Sequence, residues 1–415
     1  MSNANWLTIV GVGEDGVAGL TSEARHVITQ AEHVFGGRRH LSLAASCVQG
    51  KAHPWCSPLS DSLPELRACQ GKPTVVLATG DPLYYGIATY LARYFDPAEI
   101  RVIPALSSIT HACSRLGWAQ QTVEVVSLHG RDESLLNAHW HDGARLLILT
   151  SDDRAPKRIV NQLCEKGFKD SQVTLLEALN GERERIRTVT ASQFERLTRE
   201  GIDPLNIVAV TLKASHVSSS SVLSAGRSSE AFIHDGQITR GEVRALTLAR
   251  LAPRYGDCLW DIGAGSGAVS IEWLRTHESL TAIALEQHAT RYEHIHDNAK
   301  RFGVPHLQLV RGRAPEALTE LSQRSRPNAI FIGGGGACAE TLSFCLTHLK
   351  EGGRLVMNAV TLETEQMLAS AYKTHGGTLT RIGIEHAEPL GDMNGWQPAR
   401  TIMQWCWVKP LEIQK

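Results

Sequence analysis

The sequence predicts an α/β protein built from two different domains. Apolar strand-like segments alternate with helical segments, two of the strands end in glycine-rich turns, and a serine-rich segment interrupts the periodicity between them. A chain of 415 residues also exceeds the size of an ordinary single domain. We therefore expect a first domain over residues 1–213, a flexible linker over 214–230 and a second domain over 231–415.

The glycine turn of the second domain predicts a small-molecule site. A buried strand, Cys258 to Trp260, leads to Asp261, three glycines spaced from Gly263 to Gly267, and a helix-like segment. Glycines let the backbone approach a ligand, and the first turn of a helix offers unpaired N–H groups. Glu286 ends the next apolar run, where an acid accepts ribose hydroxyls.

Two ligands and one ligand-free alternative fit this turn. Gly263-x-Gly265-x-x-Ala268 satisfies a loose NAD(P) fingerprint. Asp261 favours S-adenosylmethionine instead, because a carboxylate before the turn suits an ammonium group and repels a pyrophosphate. An ordinary turn without a ligand is disfavoured by the combination of Asp261, the glycines and Glu286.

Six strand-like segments predict that the second domain is a doubly wound, mostly parallel sheet with an antiparallel edge. Thr239 is the expected N-cap of a helix from Gly241 to Leu251. Ligands of such sheets bind at the carboxyl ends of the strands. The segments are Cys258 to Ile262, Thr281 to Leu285, Leu307 to Val310, Ala329 to Ile332, Arg354 to Asn358, and Ile402 to Val408.

The first domain shows its own strand–turn–helix patterns. Its first strand ends in Gly11-x-Gly13-x-x-Gly16 and leads to a helix predicted from Ser22 to Val34. A second strand ends in Gly80-Asp81-Pro82, and a third is followed by Ser107 and Ser108 as possible helix caps. Four further strand segments between 123 and 212 predict a second α/β lobe.

Composition restricts the partners. The net charge of −1 and the absence of an aromatic basic stripe disfavour nucleic acid, and no apolar run reaches the length of a membrane helix. An anionic substrate would have to be held by local arginines. Nine cysteines without a C-x-x-C pair, and no signal-peptide pattern, lead us to expect reduced thiols, a cytoplasmic location and no bound metal.

Both halves resemble known families. Residues 5–213 are similar to the tetrapyrrole methylases, in which two α/β lobes hold S-adenosylmethionine between them; Ala105 departs from the family's usual glycine. The second half resembles the class I methyltransferases, more narrowly the decarboxylating corrinoid methyltransferases; Arg313 stands where that family commonly has an acid. The motifs are GVGEDG (11–16), ATGDPLYYG (78–86), PALSSI (104–109), LHGR (128–131), HDGQITRGEVRAL (234–246), DIGAGSGAVSIEW (261–273), RAPEAL (313–318), FIGGGG (331–336) and NAVTLET (358–364).

The order of the two halves resembles a family of fused methyltransferases of corrin synthesis. That resemblance implies a two-lobed tetrapyrrole methylase fold that methylates C5, followed by a Rossmann-like domain that methylates C15 and decarboxylates the C12 acetate. It also implies one S-adenosylmethionine per domain, a precorrin substrate and a homo-oligomer. The cobalt-containing equivalent of the substrate, a bifunctional NAD(P) dehydrogenase, a non-catalytic scaffold and an RNA methyltransferase are the alternatives.

Motifs and resemblance together define the expected site residues. In the first domain the expected cofactor-binding residues are Gly80, Asp81, Leu83, Ser107 and Ser108. In the second they are Thr239, Asp261, Gly263, Ala264, Gly265, Ser266, Gly267, Glu286, Ala314 and Gly333. The expected substrate-binding residues are Gly13, Arg38, Arg131 and Arg244, with Arg240 and Arg313 as further candidate cations. The catalytic candidates are Asn358, Thr361 and His386, and Glu363 and Glu385 are further candidate proton donors.

Overall fold

A computed structural model describes residues 5–216, 222–333 and 338–411. The chain forms two compact units, Met1–Arg131 with Trp140–Ser220, and Asp132–His139 with Ser221–Lys415. The centre of the expected linker, residues 217–221, and the glycines at 334–336 lie outside the described residues. Within the described ranges, no helix combines the length and the apolar character needed to cross a bilayer.

The first sheet of the first unit is wholly parallel, with strand order β3-β2-β4-β1-β5. The strands are β1 (Leu7–Val12), β2 (His33–Gly36), β3 (Lys51–Pro54), β4 (Thr74–Thr79) and β5 (Ile100–Ile103). The helices are α1 (Ser22–Gln30), α2 (Arg38–Leu43), α3 (Leu63–Ala68), α4 (Ile87–Leu91) and α5 (Ser108–Leu116).

The second sheet of this unit has the order β6-β7-β10-β8-β9, and its pairs are antiparallel except β6 with β7. Its strands are β6 (Glu124–Ser127), β7 (Arg145–Leu149), β8 (Gln172–Glu177), β9 (Arg185–Thr190) and β10 (Asn206–Thr211). Its helices are α6 (Ala155–Glu165) and α7 (Glu195–Thr198).

The first helix is shorter than the sequence pattern predicts. We expected it to reach Val34, but α1 ends at Gln30 and the chain enters β2. Val34 and Phe35 are fully buried there, Val34 in one core cluster and Phe35 in another, and both pair with residues of the neighbouring strand β4. Burial of two large side chains, worth about 1.5–3 kcal/mol each, therefore outweighs the continuing helical pattern.

The second unit contains a seven-stranded sheet in the order β13-β12-β11-β14-β15-β19-β16 and a separate hairpin, β17-β18. The strands are β11 (Cys258–Ile262), β12 (Thr281–Glu286), β13 (Gln308–Arg311), β14 (Ala329–Ile332), β15 (Arg354–Ala359), β16 (Thr378–Ile382), β17 (Glu385–Leu390), β18 (Met393–Pro398) and β19 (Ile402–Val408). The helices are α8 (Gly241–Leu251), α9 (Ala268–Leu274), α10 (Ala289–Arg301), α11 (Leu318–Ser322), α12 (Ala339–His348) and α13 (Leu362–His375).

This sheet confirms the predicted α/β class and the predicted antiparallel edge. Strands β11 to β15 run parallel, and β19 pairs antiparallel with both β15 and β16. Successive side chains of β11 are buried on opposite faces of the sheet, with Leu259 in one core cluster and Trp260 in the other. The six-strand prediction omitted β16 and the hairpin, which interrupt the chain before β19.

One predicted cap is wrong. Helix α8 begins at Gly241 as expected, but its N-cap position is Arg240 and no side chain caps it. The Thr239 carbonyl instead accepts a hydrogen bond from Arg244 one turn along the helix.

Candidate functional sites

The second unit holds a cavity of about 700 Å³ at the carboxyl edge of its sheet. Ile262 of β11 pairs with Leu285 of β12 and Ile332 of β14. The residues that follow these three positions, Gly263, Glu286 and Gly333, therefore meet at one edge, and all three line the cavity. Thr239, Ala264, Gly265 and Ala314, four of the residues that the sequence predicts as cofactor contacts, line it as well.

The glycine turn adopts a backbone that other residues rarely tolerate. Gly263, Gly265 and Gly267 have φ angles of 72°, 60° and 75°. The N–H groups of Gly263 and Ala264 both donate to the Leu285 carbonyl, at 3.0 Å each. A Cβ on Gly265 would lie 3.0 Å from the Gln237 carbonyl oxygen. The turn is thus held tightly against β12 and the segment before α8.

Glu286 provides the carboxylate of this cavity. Its Oε2 accepts a hydrogen bond from the Gly265 N–H and its Oε1 one from the His288 N–H, both at 2.9 Å. A carboxylate has about four acceptor positions, so two remain for a ligand. Among the described residues that line the cavity, Glu286 is the single acid.

Asp261, which we expected to contact the ligand's ammonium group, lies beneath the turn and does not line the cavity. It is fully buried, and its Oδ2 accepts hydrogen bonds from the Ser270 N–H at 3.2 Å and hydroxyl at 2.6 Å. Burial raises the pKa of Asp261 to about 6, and the nearby Glu286 adds to this effect. Its role here is to join β11 to α9.

Ser266 and Gly267, also expected at the ligand, are likewise absent from the cavity wall. Ser266 is buried, and its carbonyl accepts a hydrogen bond from Asn298 of α10. Gly267 is the N-cap of α9, and a Cβ there would lie 2.7 Å from Ile295. Both residues fit the turn against the helices behind it.

A buried amide network forms part of the cavity wall. Asn358 lines the cavity, and its Nδ2 donates to the Thr247 hydroxyl at 3.1 Å. Its Oδ1 accepts a hydrogen bond of 2.9 Å from Gln404, its partner on β19. These bonds fix the orientation of the Asn358 amide and leave one of its N–H groups without a use in the network.

The other two catalytic candidates are not at the cavity. The Thr361 hydroxyl caps α13 by accepting from the Thr364 N–H, and this pair completes a capping box. His386 lies on the exposed hairpin, with its Nε2 3.8 Å from a Glu242 carboxylate oxygen. Glu363 and Glu385 are also absent from the cavity wall. The sequence suggested these residues only because they follow strand β15 in the chain, and their side chains do not reach the cavity wall.

Four arginines line the same cavity: Arg240, Arg291, Arg313 and Arg400. Arg291 pairs with Asp235 at 2.7 Å, and the others have no ion-pair partner among the described residues. Against a single glutamate, they make the wall cationic. Arg400 follows the β17-β18 hairpin. It lies far along the chain from the recognised motifs, so the sequence did not predict that it would line this cavity.

Arg244, expected to bind substrate, is instead a structural residue. It is fully buried, its Nε lies 3.0 Å from Glu272, and its guanidinium stands 4.8 Å from the centre of the Phe232 ring. Glu272 also accepts the N–H groups of Gly226 and Arg227. The Nη atoms of Arg244 donate to the Thr239 and Arg227 carbonyls, and the side chain is absent from the cavity wall. Arg244 therefore fastens the end of the serine-rich segment to α8 and α9.

The first unit holds a cavity of about 650 Å³ whose wall comes from both of its sheets. Val12 of β1 pairs with Thr79 of β4, which brings Gly13 and Gly80 together. The Ala105 N–H donates to the Gly80 carbonyl at 3.0 Å. The loops after β1, β4 and β5 therefore form one continuous edge of this cavity.

Most expected residues of the first domain line this cavity: Gly13, Gly80, Asp81, Ser107 and Ser108. The Ser107 hydroxyl caps α5, as the sequence predicted. Leu83 is exposed and does not line the wall; its N–H donates to the Asp81 carboxylate at 2.9 Å.

The expected cations of the first domain lie elsewhere. Arg38 is exposed and absent from the wall, and Arg39 occupies that place, because the side chains of successive residues at the start of α2 point in different directions. Arg131 is not in the wall either. Its guanidinium lies 5.4 Å from the ring centre of Tyr85, and Tyr85 does line the cavity.

A polar cluster in this wall consists of Arg39, one of the two adjacent arginines that could receive a carboxylate, with Glu14, His40 and Thr79, to which the sequence pattern assigned no role. Arg39 forms an ion pair with Glu14 and donates to the Thr79 hydroxyl at 3.1 Å. His40 Nε2 lies 2.7 Å from the same hydroxyl and 3.1 Å from Arg39 Nη2. Burial, and then the charge of Arg39, lower the pKa of His40 to about 4, so this imidazole is neutral.

Comparison with known proteins agrees with both resemblances. Residues 6–195 match the family described as Tetrapyrrole (Corrin/Porphyrin) Methylases, and residues 230–409 match the Precorrin methyltransferase domain. A decarboxylating precorrin-6Y C(5,15)-methyltransferase of Sinorhizobium sp is 49% identical over 97% of this chain and 96% of its own length. One from Mycobacterium tuberculosis is 38% identical over 97% of this chain and its whole length.

A shorter relative matches less of the chain. A cobalt-precorrin-7 C(5)-methyltransferase of Salmonella typhimurium is 32% identical over 45% of this chain and 91% of its own length. The two full-length relatives show the family and confirm the predicted fold class and enzyme class. The chain belongs to the decarboxylating precorrin-6Y C(5,15)-methyltransferases, a family of methyltransferases of cobalamin biosynthesis.

Proposed function

We propose that this chain methylates a precorrin twice, at C5 in the first unit and at C15 in the second. The second unit also removes the C12 acetate carboxyl as carbon dioxide, so that precorrin-6B (precorrin-6Y) becomes precorrin-8X. The observation that carries this proposal is the pair of separate cavities, one at the glycine-bearing edge of each unit. Two such cavities provide a separate site for each of the two methyl transfers.

S-adenosylmethionine fits both cavities, at one molecule per unit. Volumes of about 650 and 700 Å³ lie within the usual range for ligands of this size. In the second unit, Glu286 offers two acceptor positions to ribose hydroxyls, and the turn at Gly263 and Gly265 leaves room beside the backbone. In the first, Gly80, with φ 54° and no Cβ, lets the loop after β5 approach closely at Leu106 and Ser107.

The cationic wall of the second cavity suits a substrate with several carboxylates. Arg240, Arg313 and Arg400 lack ion-pair partners among the described residues, and each can take a propionate or acetate of a corrinoid. The fixed Asn358 amide adds a neutral donor. These groups orient the ring, and proximity and orientation can supply ~7–11 kcal/mol of a barrier.

The chemistry at each site needs little covalent help from the protein. When bound, S-adenosylmethionine supplies a methyl group already activated on a sulfonium. The side chains of the second cavity bind and orient the corrinoid ring, and the turn positions the methyl donor beside it. Decarboxylation at C12 leaves an electron pair in the conjugated ring, which must be protonated or passed towards C15.

Mass spectrometry of a metal-free precorrin-6 substrate, incubated with the protein and S-adenosylmethionine, tests the proposal. We expect a gain of two methyl groups and a loss of one carbon dioxide. A product without added methyl groups would contradict it. Turnover confined to the cobalt-containing substrate would assign the chain to the alternative that the Salmonella relative's name suggests.

Binding measurements test the remaining parts of the proposal. Calorimetry with S-adenosylhomocysteine should give two sites per chain, whereas stabilisation by NADH alone would contradict the assigned cofactor. We also expect a homo-oligomer in the cytoplasm; light scattering after size-exclusion chromatography measures its mass, and a monomer would contradict that expectation.

A further inference from the structure

The cluster around Thr79 in the first cavity has a defined direction of hydrogen bonding. Arg39 carries only donors, so its contact with His40 at 3.1 Å makes the His40 Nε2 an acceptor. The hydrogen of this imidazole is then on Nδ1. The Thr79 hydroxyl, 2.7 Å from the same nitrogen, must donate its proton to it.

This direction leaves the Thr79 oxygen with an unused acceptor position. One lone pair accepts from Arg39 Nη2 at 3.1 Å, and the other has no partner among the described residues. Thr79 is exposed to the cavity and directly precedes Gly80 and Asp81 at the carboxyl end of β4. A bound substrate can therefore reach this oxygen.

The surroundings hold His40 in its neutral form. Burial of the imidazole and the guanidinium of Arg39 both disfavour a second proton on it, which is why its pKa falls to about 4. Glu14, with a side chain 12% exposed, pairs with Arg39 and keeps that guanidinium in place. At neutral pH His40 is therefore an unprotonated weak base, which can take a proton only from an acidic, methylated ring and gives it up again readily.

We propose that the Thr79 oxygen accepts the proton that the substrate loses during methyl transfer in the first unit, and that Thr79 passes its own hydroxyl proton to His40. This inference rests on the proposed function. A carbon–carbon bond forms between the ring and the methyl group, and the carbon–sulfur bond breaks with its electron pair remaining on sulfur. The proton lost by the ring passes to the Thr79 oxygen while the Thr79 proton passes to His40 Nε2. No group is oxidised or reduced.

In this scheme Thr79 contacts the substrate, and His40 is a positioning residue that acts through it. A hydroxyl beside an imidazole is also the arrangement of a nucleophilic catalyst. Here the hydroxyl transfers a proton and does not attack the substrate. The sequence separates the two residues by 39 positions, and the contact of α2 with β4 brings them together.

His40→Gln tests the inference in the full chain, because an amide keeps an acceptor near Thr79 but is too weakly basic to hold the proton. General base catalysis contributes about 10²–10⁴-fold, so we expect kcat for C5 methylation to fall by at least about 100-fold. The KM for the precorrin and the affinity for S-adenosylhomocysteine should stay within about twofold of wild type. Methylation at C15 and decarboxylation in the second unit should not change. The exposed His26 on α1 supplies the matched control, His26→Gln.

Thr79→Val and Thr79→Ser test the hydroxyl independently. Valine should reduce C5 methylation as strongly as His40→Gln, whereas serine, which restores the hydroxyl, should recover most of the rate. A normal C5 kcat in His40→Gln or Thr79→Val would overturn the inference. So would a raised KM with an unchanged kcat, which would make the cluster a carboxylate-binding site. If wild type itself adds no methyl group to the precorrin, the proposed function has failed.

Discussion

Replacing Asp261 by Asn should remove a pH-dependent contribution to the stability of the second unit. Asp261 is fully buried, its Oδ2 is bonded to Ser270, and its Oδ1 has no hydrogen-bond partner within the described structure. Burial, with the carboxylate of Glu286 nearby, raises the pKa of Asp261 from 3.8 to about 6. Asparagine keeps an acceptor for Ser270 and cannot ionise.

The folded pKa lies above the unfolded one, so the folded state binds the proton more tightly. The resulting stabilisation is complete below pH 3.8 and is lost as the pH rises through about 6. The full difference of about 2.2 pKa units corresponds to ~3 kcal/mol in the free energy of unfolding. Of this, ~1.4 kcal/mol is lost between pH 5 and pH 8, which equals a tenfold change in the unfolding equilibrium.

Hydrogen exchange of the β11 amides measures this difference within the intact chain. After correction for intrinsic exchange, the protection of β11 should fall from pH 5 to pH 8 by about tenfold more in wild type than in Asp261→Asn. Asp392→Asn, which removes an exposed carboxylate of the same unit, should behave as wild type. Equal pH dependence in wild type and Asp261→Asn would refute the assignment of a raised pKa to this group.

Three further changes test the cavities and the buried network. Gly11→Ala places a Cβ 1.9 Å from the Gly80 carbonyl, so calorimetry should find one S-adenosylhomocysteine site per chain; two intact sites would contradict the first-unit assignment. Glu272→Gln leaves the buried Arg244 without an anion at a cost of about 3–5 kcal/mol, and an unchanged melting temperature would argue against that ion pair. Gln404→Ala unpairs the Asn358 carbonyl at a cost of about 1–3 kcal/mol, and C15 methylation should fall while C5 methylation continues; equal losses at both positions would contradict a local effect.

The sequence predicted those parts of the fold that depend on neighbouring residues. Apolar periodicity and glycine turns are local signals, and they placed β11, the turn from Gly263 to Gly267, and Glu286 correctly. The same kind of signal located the turn at Gly80 and the cap at Ser107. Strand β2 was missed because its four residues follow a helical pattern and are stabilised by burial against distant strands.

The direction in which a side chain points was less predictable. Asp261 stands in the expected motif, yet its side chain faces α9 and the buried interior. Arg39 and not Arg38 lines the first cavity, although both follow the same two glycines. Arg244 belongs to a motif of the second domain but is held in the core by Glu272.

The sequence by itself determined the class of the fold, its two-part organisation in outline, and the glycine turns at which ligands are expected, because each is written in short stretches of chain. Only the tertiary structure decided which charges face the cavities. Arg400, which follows a hairpin, lines the second cavity, and His40 on α2 contacts Thr79 on β4. Such contacts join residues far apart in the chain, and burial then sets their charge, so no local pattern in the sequence records them.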